Sequence, residues 1–150
     1  MKSEEVKPIN AFTVEEIVLL CYNLHGNKYE GGGLFMSQSP LIVKSKEFAL
    51  ETIRACKILR EAKCESALIN QYLRSGTSIG ANIREAFYAH GKADFIAKLH
   101  IALKECSETE YWLELLIESG YYSDKATLDK CVELKKILIA SLNTAKENLK

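Results

Sequence analysis

The stretch RSGTSIGANIREA, Arg74 to Ala86, decides how this chain folds. Apolar residues on both sides recur at helical spacing, yet its middle sets two glycines among serines and a threonine. Such a stretch is either a glycine loop that cradles a phosphate or a helix built from small residues. With Ile69 at heptad position a, positions a, d and e hold Ile69, Tyr72, Leu73, Gly76, Ile79, Gly80, Ile83, Ala86 and Phe87. All are apolar, aromatic or glycine, so one helical stripe runs unbroken through the glycines. A phosphate loop would interrupt that register. Motif spacing agrees: a Walker loop needs GxxxxGK and then serine or threonine, a dinucleotide site needs GxGxxG, and Gly76 and Gly80 fit neither. An interior glycine costs about 1 kcal/mol relative to alanine. Gly76 and Gly80 are therefore expected where a neighbouring backbone or bulky side chain comes close.

Working outward, the chain from Ser45 onward has no proline, and its remaining glycines, Gly91 and Gly120, punctuate long helical patterns. A softer break falls around Cys64–Ser66, where Ser66 is expected to cap a new helix. Four helices follow, roughly 46–63, 66–90, 93–118 and 124–148. At about 1.5 Å per residue the longer three span roughly 36–39 Å each. Nothing alternates for long and no Asn-Gly turn joins β-branched runs, so strand signals are missing. Four helices with short links predict an all-α fold, an antiparallel up-and-down four-helix bundle over residues 45–150. Residues 1–44 form an extension. Thr13 with Glu16 makes a capping box for a short helix from Val14 to about Leu24, Gly26 stops it, and a linker rich in glycine (Gly31, Gly32, Gly33) is expected from His25 to about Lys44.

Composition sets bounds on function. A chain of 150 residues, 47% hydrophobic and 27% charged, suits one compact domain with a real core. Twenty basic residues balance twenty acidic ones, which counts against a strong non-specific polyanion binder. No run of 18 apolar residues exists to span a membrane, and the opening MKSEEVKPIN lacks the basic-then-apolar order of a secretory signal. The expected compartment is the cytoplasm. Five cysteines, Cys21, Cys56, Cys64, Cys106 and Cys131, are odd in number and show no CxxC spacing. They read as small buried hydrophobes in a reducing compartment.

Beside the glycine stripe, Arg74, Ser78, Asn82 and Glu85 share a second face of the same helix. The next helix is apolar on several sides. Phe95, Leu99, Ala102, Cys106, Leu113 and Leu116 make its core stripe, while Ile96, Ile101, Leu103, Trp112, Leu115 and Ile117 add apolar surface elsewhere. Glu108 lies one heptad from Ile101 and Leu115, and Glu105 one heptad from Trp112, so both carboxylates are candidates for burial and need partners. Arg74, Asn82 or Lys104 are the expected ones, giving a polar network of Arg74, Ser78, Asn82, Glu85, Lys104, Glu105, Glu108 and Trp112 that sets helix register or holds a subunit contact. Charge divides unevenly: six basic and three acidic residues from Lys44 to Lys63, two and six from Asp94 to Glu118, six and four from Asp124 to Lys150. This suits either head-to-tail contact between identical subunits or pairing between adjacent helices of one chain.

Catalytic and metal readings find little support. Di-iron bundles need Glu-x-x-His pairs, but Tyr22, Phe87 and Ala97 stand three residues before His25, His90 and His100. No HExxH or zinc spacing is present. Glu105 and Glu108 form a carboxylate pair without an identifiable nucleophile. Cys106 lacks a histidine or helix N-terminus to activate it. No catalytic residue, metal ligand, cofactor or small-molecule substrate is assigned.

The segments KSKEFAL, QYLRSGTSIGANIREA and DFIAKLHIALKECSETEYWLELL, with GYY after them, resemble in order the four-helix-bundle family of 23S rRNA intervening-sequence proteins, from about Leu41 to Leu149. That family is distantly similar to the accessory proteins of diversity-generating retroelements. The resemblance implies a ring-shaped homopentamer of up-and-down bundles and marks Arg74, Ser78, Asn82, Glu85, Lys104, Glu105, Glu108, Thr109, Tyr111 and Trp112 as characteristic rather than catalytic. The retroelement relatives bind a reverse transcriptase and nucleic acid through a basic surface, and this chain's neutral balance departs from that. Met36 stands where family members begin, so residues 1–35 read as an extension or a misassigned start. Three functions follow as expectations: a non-catalytic homo-oligomeric scaffold or adaptor for a protein or RNA partner, an RNA-binding protein associated with 23S rRNA intervening sequences, and, third, a metal- or acid/base-dependent enzyme.

Overall fold

The computed structural model describes residues 39–147. These form four α-helices: α1 Pro40–Glu61, α2 Ser66–Phe87, α3 Lys92–Glu118 and α4 Lys125–Glu147. No strand occurs among the described residues. Consecutive helices pack on one another, α4 closes back onto α1, and α1 lies diagonally across from α3. The architecture is the antiparallel four-helix bundle expected from the periodicity. The short helix expected from Val14 to Leu24, with Cys21 and the glycine-rich linker, lies outside the described residues.

Each helix boundary has a local cause. The first helix begins at Pro40, earlier than the expected 46, so residues 40–44, expected in the linker, are helical. Pro40 occupies the first helical turn, where its missing N–H leaves no bond unmade and its fixed φ suits the helix. The apolar spacing then runs straight through Leu41, Ile42, Phe48 and Ala55, all buried. The α1–α2 turn holds no glycine. Lys63 takes the left-handed conformation at φ 56°, its N–H donating to the Arg60 carbonyl and that of Cys64 to the Leu59 carbonyl. This is a Schellman ending, with buried Cys64 as its apolar contact. Ser66 does not cap α2 as expected: it is the first helical residue, and Glu65 stands before it without a side-chain cap bond. The second helix stops at Phe87 rather than 90. His90 N–H then donates to the Asp94 carboxylate at 3.2 Å, which ties the next helix start back onto the turn. Gly120, at φ +80°, ends α3. Asp124 caps α4 by accepting the Ala126 N–H at 2.9 Å.

The core gathers the inward stripes of all four helices, with Phe48, Leu59, Ile79, Ile83, Leu99, Leu113, Leu116, Leu134 and Leu138 almost wholly removed from water. Fully burying each such side chain contributes about 1.5–3 kcal/mol. Tyr72 is also fully buried, its hydroxyl beside Thr52 without a hydrogen bond of ordinary geometry, and burial pushes its phenol well above the usual range.

The four seams are not alike. Six ion pairs lie among the described residues, and they cross three of them: Lys44–Glu133 and Lys130–Glu51 join α1 to α4, Lys135–Glu110 joins α3 to α4, and Arg74–Glu105, Arg74–Glu108 and Lys98–Glu85 join α2 to α3. None crosses from α1 to α2. That seam is closed by small residues instead: a Cβ on Gly76 would sit 2.7 Å from both the Cγ2 and the Oγ1 of Thr52, and one on Gly80 would sit 3.4 Å from the Ser45 carbonyl oxygen. The Thr52 and Ser45 hydroxyls are satisfied within α1, donating to Phe48 and Ile42 carbonyls at 3.0 and 3.1 Å. Pairing between adjacent helices thus takes up part of the charge division seen in sequence, while Lys46, Arg54 and Lys57 on α1 and Glu114 and Glu118 on α3 stand exposed.

Candidate functional site

The second and third helices run antiparallel, so residue numbers on facing positions sum to a near-constant value. Arg74 therefore meets Glu105 and Glu108, and Glu85 meets Lys98. At the first of these levels the Arg74 guanidinium spans both carboxylates, one nitrogen 3.4 Å from Glu105 and the other bonded to Glu108. The Trp112 indole N–H donates to the same Glu108 oxygen at 3.1 Å. One helical turn separates Glu108 from Trp112, which is why the i, i+4 spacing on α3 makes that contact. Glu105 is largely covered at 19% side-chain exposure and Glu108 is a third exposed at 34%, with Arg74 lying over them at 51%. Arg74 first and Trp112 second hold the Glu108 carboxyl below the usual carboxylate range. The Tyr111 ring meets the Trp112 ring edge-on at 5.1 Å. Thr109, fully buried behind them, donates to the Glu105 carbonyl at 2.7 Å.

The eight residues expected in one polar network divide into smaller groups. Arg74, Glu105, Glu108 and Trp112 form one cluster. Glu85 pairs with Lys98 instead, a partner the sequence reading did not include. Asn82 donates to the Ser78 carbonyl of its own helix at 2.9 Å and does not reach the carboxylates. Lys104 stands on the exposed side of α3, with no ion pair among the described residues. Between the two ion-pair levels Ser78 is half-buried, and beside it Ala81 is exposed, so the surface there is shallow. Lys98 was legible only through register: it lies one heptad before Glu105, on the same α3 face, and so must meet α2 wherever Glu105 does.

Around this cluster α3 leaves apolar side chains in water. Ile101, Tyr111 and Leu115 are 40%, 52% and 36% exposed, with Trp112 half-buried among them. On the diagonal helix, Val43, Leu50 and Ile53 are exposed among the basic residues Lys46, Arg54 and Lys57. No group of three or more histidine, cysteine or acidic side chains among the described residues is arranged to hold a metal ion. None of the helices among the described residues is long and apolar enough to cross a membrane. The chemistry on offer is that of a contact surface: apolar rows, one Arg-bridged carboxylate pair and an anchored tryptophan.

Residues 39–140 match the sequence profile of the family described as 23S rRNA-intervening sequence protein. A crystal structure of a protein of unknown function from the S23 ribosomal protein family of Bacteroides thetaiotaomicron is 48% identical, with a TM-score of 0.66, and the match covers 68% of this chain and 97% of that one. No curated protein matches. The chain belongs to the 23S rRNA-intervening sequence protein family.

Proposed function

We propose that this member of the 23S rRNA-intervening sequence protein family is a non-catalytic, cytoplasmic scaffold that assembles head to tail into a homopentameric ring and presents that ring to a macromolecular partner. One observation carries the reading: two exposed apolar rows lie on diagonal helices and so face away from each other, Ile101, Tyr111 and Leu115 on α3 and Val43, Leu50 and Ile53 on α1. Their surroundings lean to opposite charge, with Glu114 and Glu118 exposed beside Lys104 along α3 and Lys46, Arg54 and Lys57 exposed beside Glu47 along α1. Two different, complementary patches on opposite sides of one subunit are what a heterologous contact requires, and such contacts close into rings when the rotation permits. Apolar residues flanked by charge also match the make-up of subunit interfaces, with a buried aromatic anchor such as Trp112 near the centre. Arg74, by bridging Glu105 and Glu108, fixes the tilt of α3 against α2 and so the direction in which the row points.

Size-exclusion chromatography with light scattering tests this. The wild type is expected to run as a discrete oligomer of five subunits, and Leu115→Lys and Leu50→Glu are each expected to run as monomers with unchanged helical circular dichroism. Mixing the two variants should yield a dimer, because each retains the patch the other has lost. A wild-type monomer at high micromolar concentration would overturn the ring, and an unchanged mass for Leu50→Glu would overturn the role of α1.

A second reading, an RNA-binding protein associated with 23S rRNA intervening sequences, is supported by the exposed basic residues Lys46, Arg54, Lys57, Arg60 and Lys63 on and just beyond α1. Binding of that kind weakens steeply as salt rises. A mobility shift with structured RNA that disappears between low and physiological salt would favour RNA as the partner, and no shift at low salt would leave a protein partner.

A further inference from the structure

Among the described residues the bundle interior holds one pair of facing thiols whose chemistry the proposed assembly does not use. Cys106, near the middle of α3, and Cys131, in the second turn of α4, are both fully buried, with their sulfurs 3.8 Å apart. Each thiol also reaches the other residue's main chain: Cys106 Sγ lies 3.5 Å from the Cys131 carbonyl oxygen, and Cys131 Sγ lies 3.6 Å from that of Cys106. This exchange is reciprocal. It requires the two helix backbones to approach closely at this level, and the small Ala102, one turn earlier on α3 and fully buried, is consistent with such an approach. The other described thiols have no such partner: Cys56 is buried in α1, and Cys64 lies in the α1–α2 turn, 3.9 Å from the Glu65 carbonyl.

We infer that Cys106 and Cys131 form an oxidation site, a dithiol poised to close into a disulfide that staples α3 to α4. The sulfurs, 3.8 Å apart, would close to the bonded length of about 2.05 Å. A peroxide is the oxidant by class. One thiolate attacks a peroxide oxygen, the O–O bond breaks and water leaves, so that this sulfur becomes a sulfenic acid. The second thiol attacks it, the S–S bond forms and a second water leaves. Two electrons pass from the sulfurs to one peroxide, and the two thiol protons end in water. At rest the pair is guarded: its hydrogen bond to Cys106 first, and burial next, raise the Cys131 thiol well above its ordinary range. Reaction therefore awaits local opening of α4 from α3. The closed bond would span the 25 residues from Cys106 to Cys131, including the Gly120 turn.

Peptide mapping of the full chain tests this directly. After hydrogen peroxide, alkylation of the remaining thiols and digestion without reductant, a single linked peptide pair containing Cys106 and Cys131 is expected. It should be lighter by two hydrogens and released by dithiothreitol, while Cys56 and Cys64 carry the alkyl group. The oxidised chain should melt at least about 5 °C higher, since closing a loop of this length constrains the unfolded state. In Cys131→Ala the link should vanish, and dimedone should trap Cys106 as its sulfenic acid once the chain opens. Links from Cys21, Cys56 or Cys64 in place of this one would overturn the proposal. So would the absence of any link in urea just below the unfolding transition, where opening is frequent. Because the readout is a covalent link in the wild-type chain, a variant that fails to fold leaves the conclusion intact.

Discussion

A glycine in mid-helix is informative only when its surroundings are known, and the two in α2 differ. At Gly76 a methyl group would meet the branched, buried Thr52 at 2.7 Å on two atoms, and Thr52 has no flexible end to give way. Gly76→Ala is therefore expected to destabilise the chain by about 1–3 kcal/mol, the range for overpacking. Adding Thr52→Ala removes both clashing atoms and should restore part of the loss, a coupling that denaturant titration of the singles and the double can measure. At Gly80 the same methyl group would touch the Ser45 carbonyl oxygen at 3.4 Å, an ordinary contact. Gly80→Ala is expected to be neutral or to stabilise by up to about 1 kcal/mol, through helix propensity. Equal losses at both positions would contradict this account. The sequence stripe placed both glycines on the inward face, but the atoms opposite them belong to α1, 24 positions away for Gly76 and Thr52 and 35 for Gly80 and Ser45, and no local pattern carries that distance.

At the scale of elements, the α2–α3 contact rests on Arg74, Glu105, Glu108 and Trp112 at one level and Glu85–Lys98 at another. Each pair has one partner more than half exposed, Arg74 or Glu85, so each contributes little to stability and more to register. The pH dependence has a definite sign. The Glu108 carboxyl is held below its ordinary range by Arg74 and then Trp112. Its contribution is therefore complete above the unfolded-state value of about 4.3 and lost as pH falls through the lower folded-state value. The difference in melting midpoint between wild type and Glu108→Gln should be constant at neutral pH and shrink toward zero in acid. A difference that grows on acidification would reverse the assignment. The carboxylates and Trp112 were legible as a heptad coincidence on α3. That Arg74 serves both carboxylates while Asn82 turns back to Ser78 was not, because it depends on which long side chain reaches across the seam first.

For the whole molecule, the described core lies between Leu41 and Ala145, and the match to the solved relative takes in 68% of this chain and 97% of that one. A chain starting at Met36 is accordingly expected to keep its helical circular dichroism and to melt within a few degrees of the full chain. A large fall in midpoint would mean that residues 1–35 add apolar burial to the bundle. The same scale holds the assembly: α1 and α3 are diagonal, so their exposed rows point apart, and the mixing of Leu115→Lys with Leu50→Glu tests whether those rows meet in a neighbour.

By itself the sequence determined the helices, their order and their inward stripes, because helical periodicity is a local property written into residues three and four apart. With Arg74–Ala86 helical and no strand signal elsewhere, the four helical patterns make the fold all-α. Tertiary structure alone decided that the α1–α2 seam is closed by Gly76 against Thr52 without an ion pair, that Lys63 turns the chain without glycine, and that Cys106 faces Cys131. Each of these joins residues through space, and the pairing depends on how four helices settle against one another rather than on any spacing along the chain.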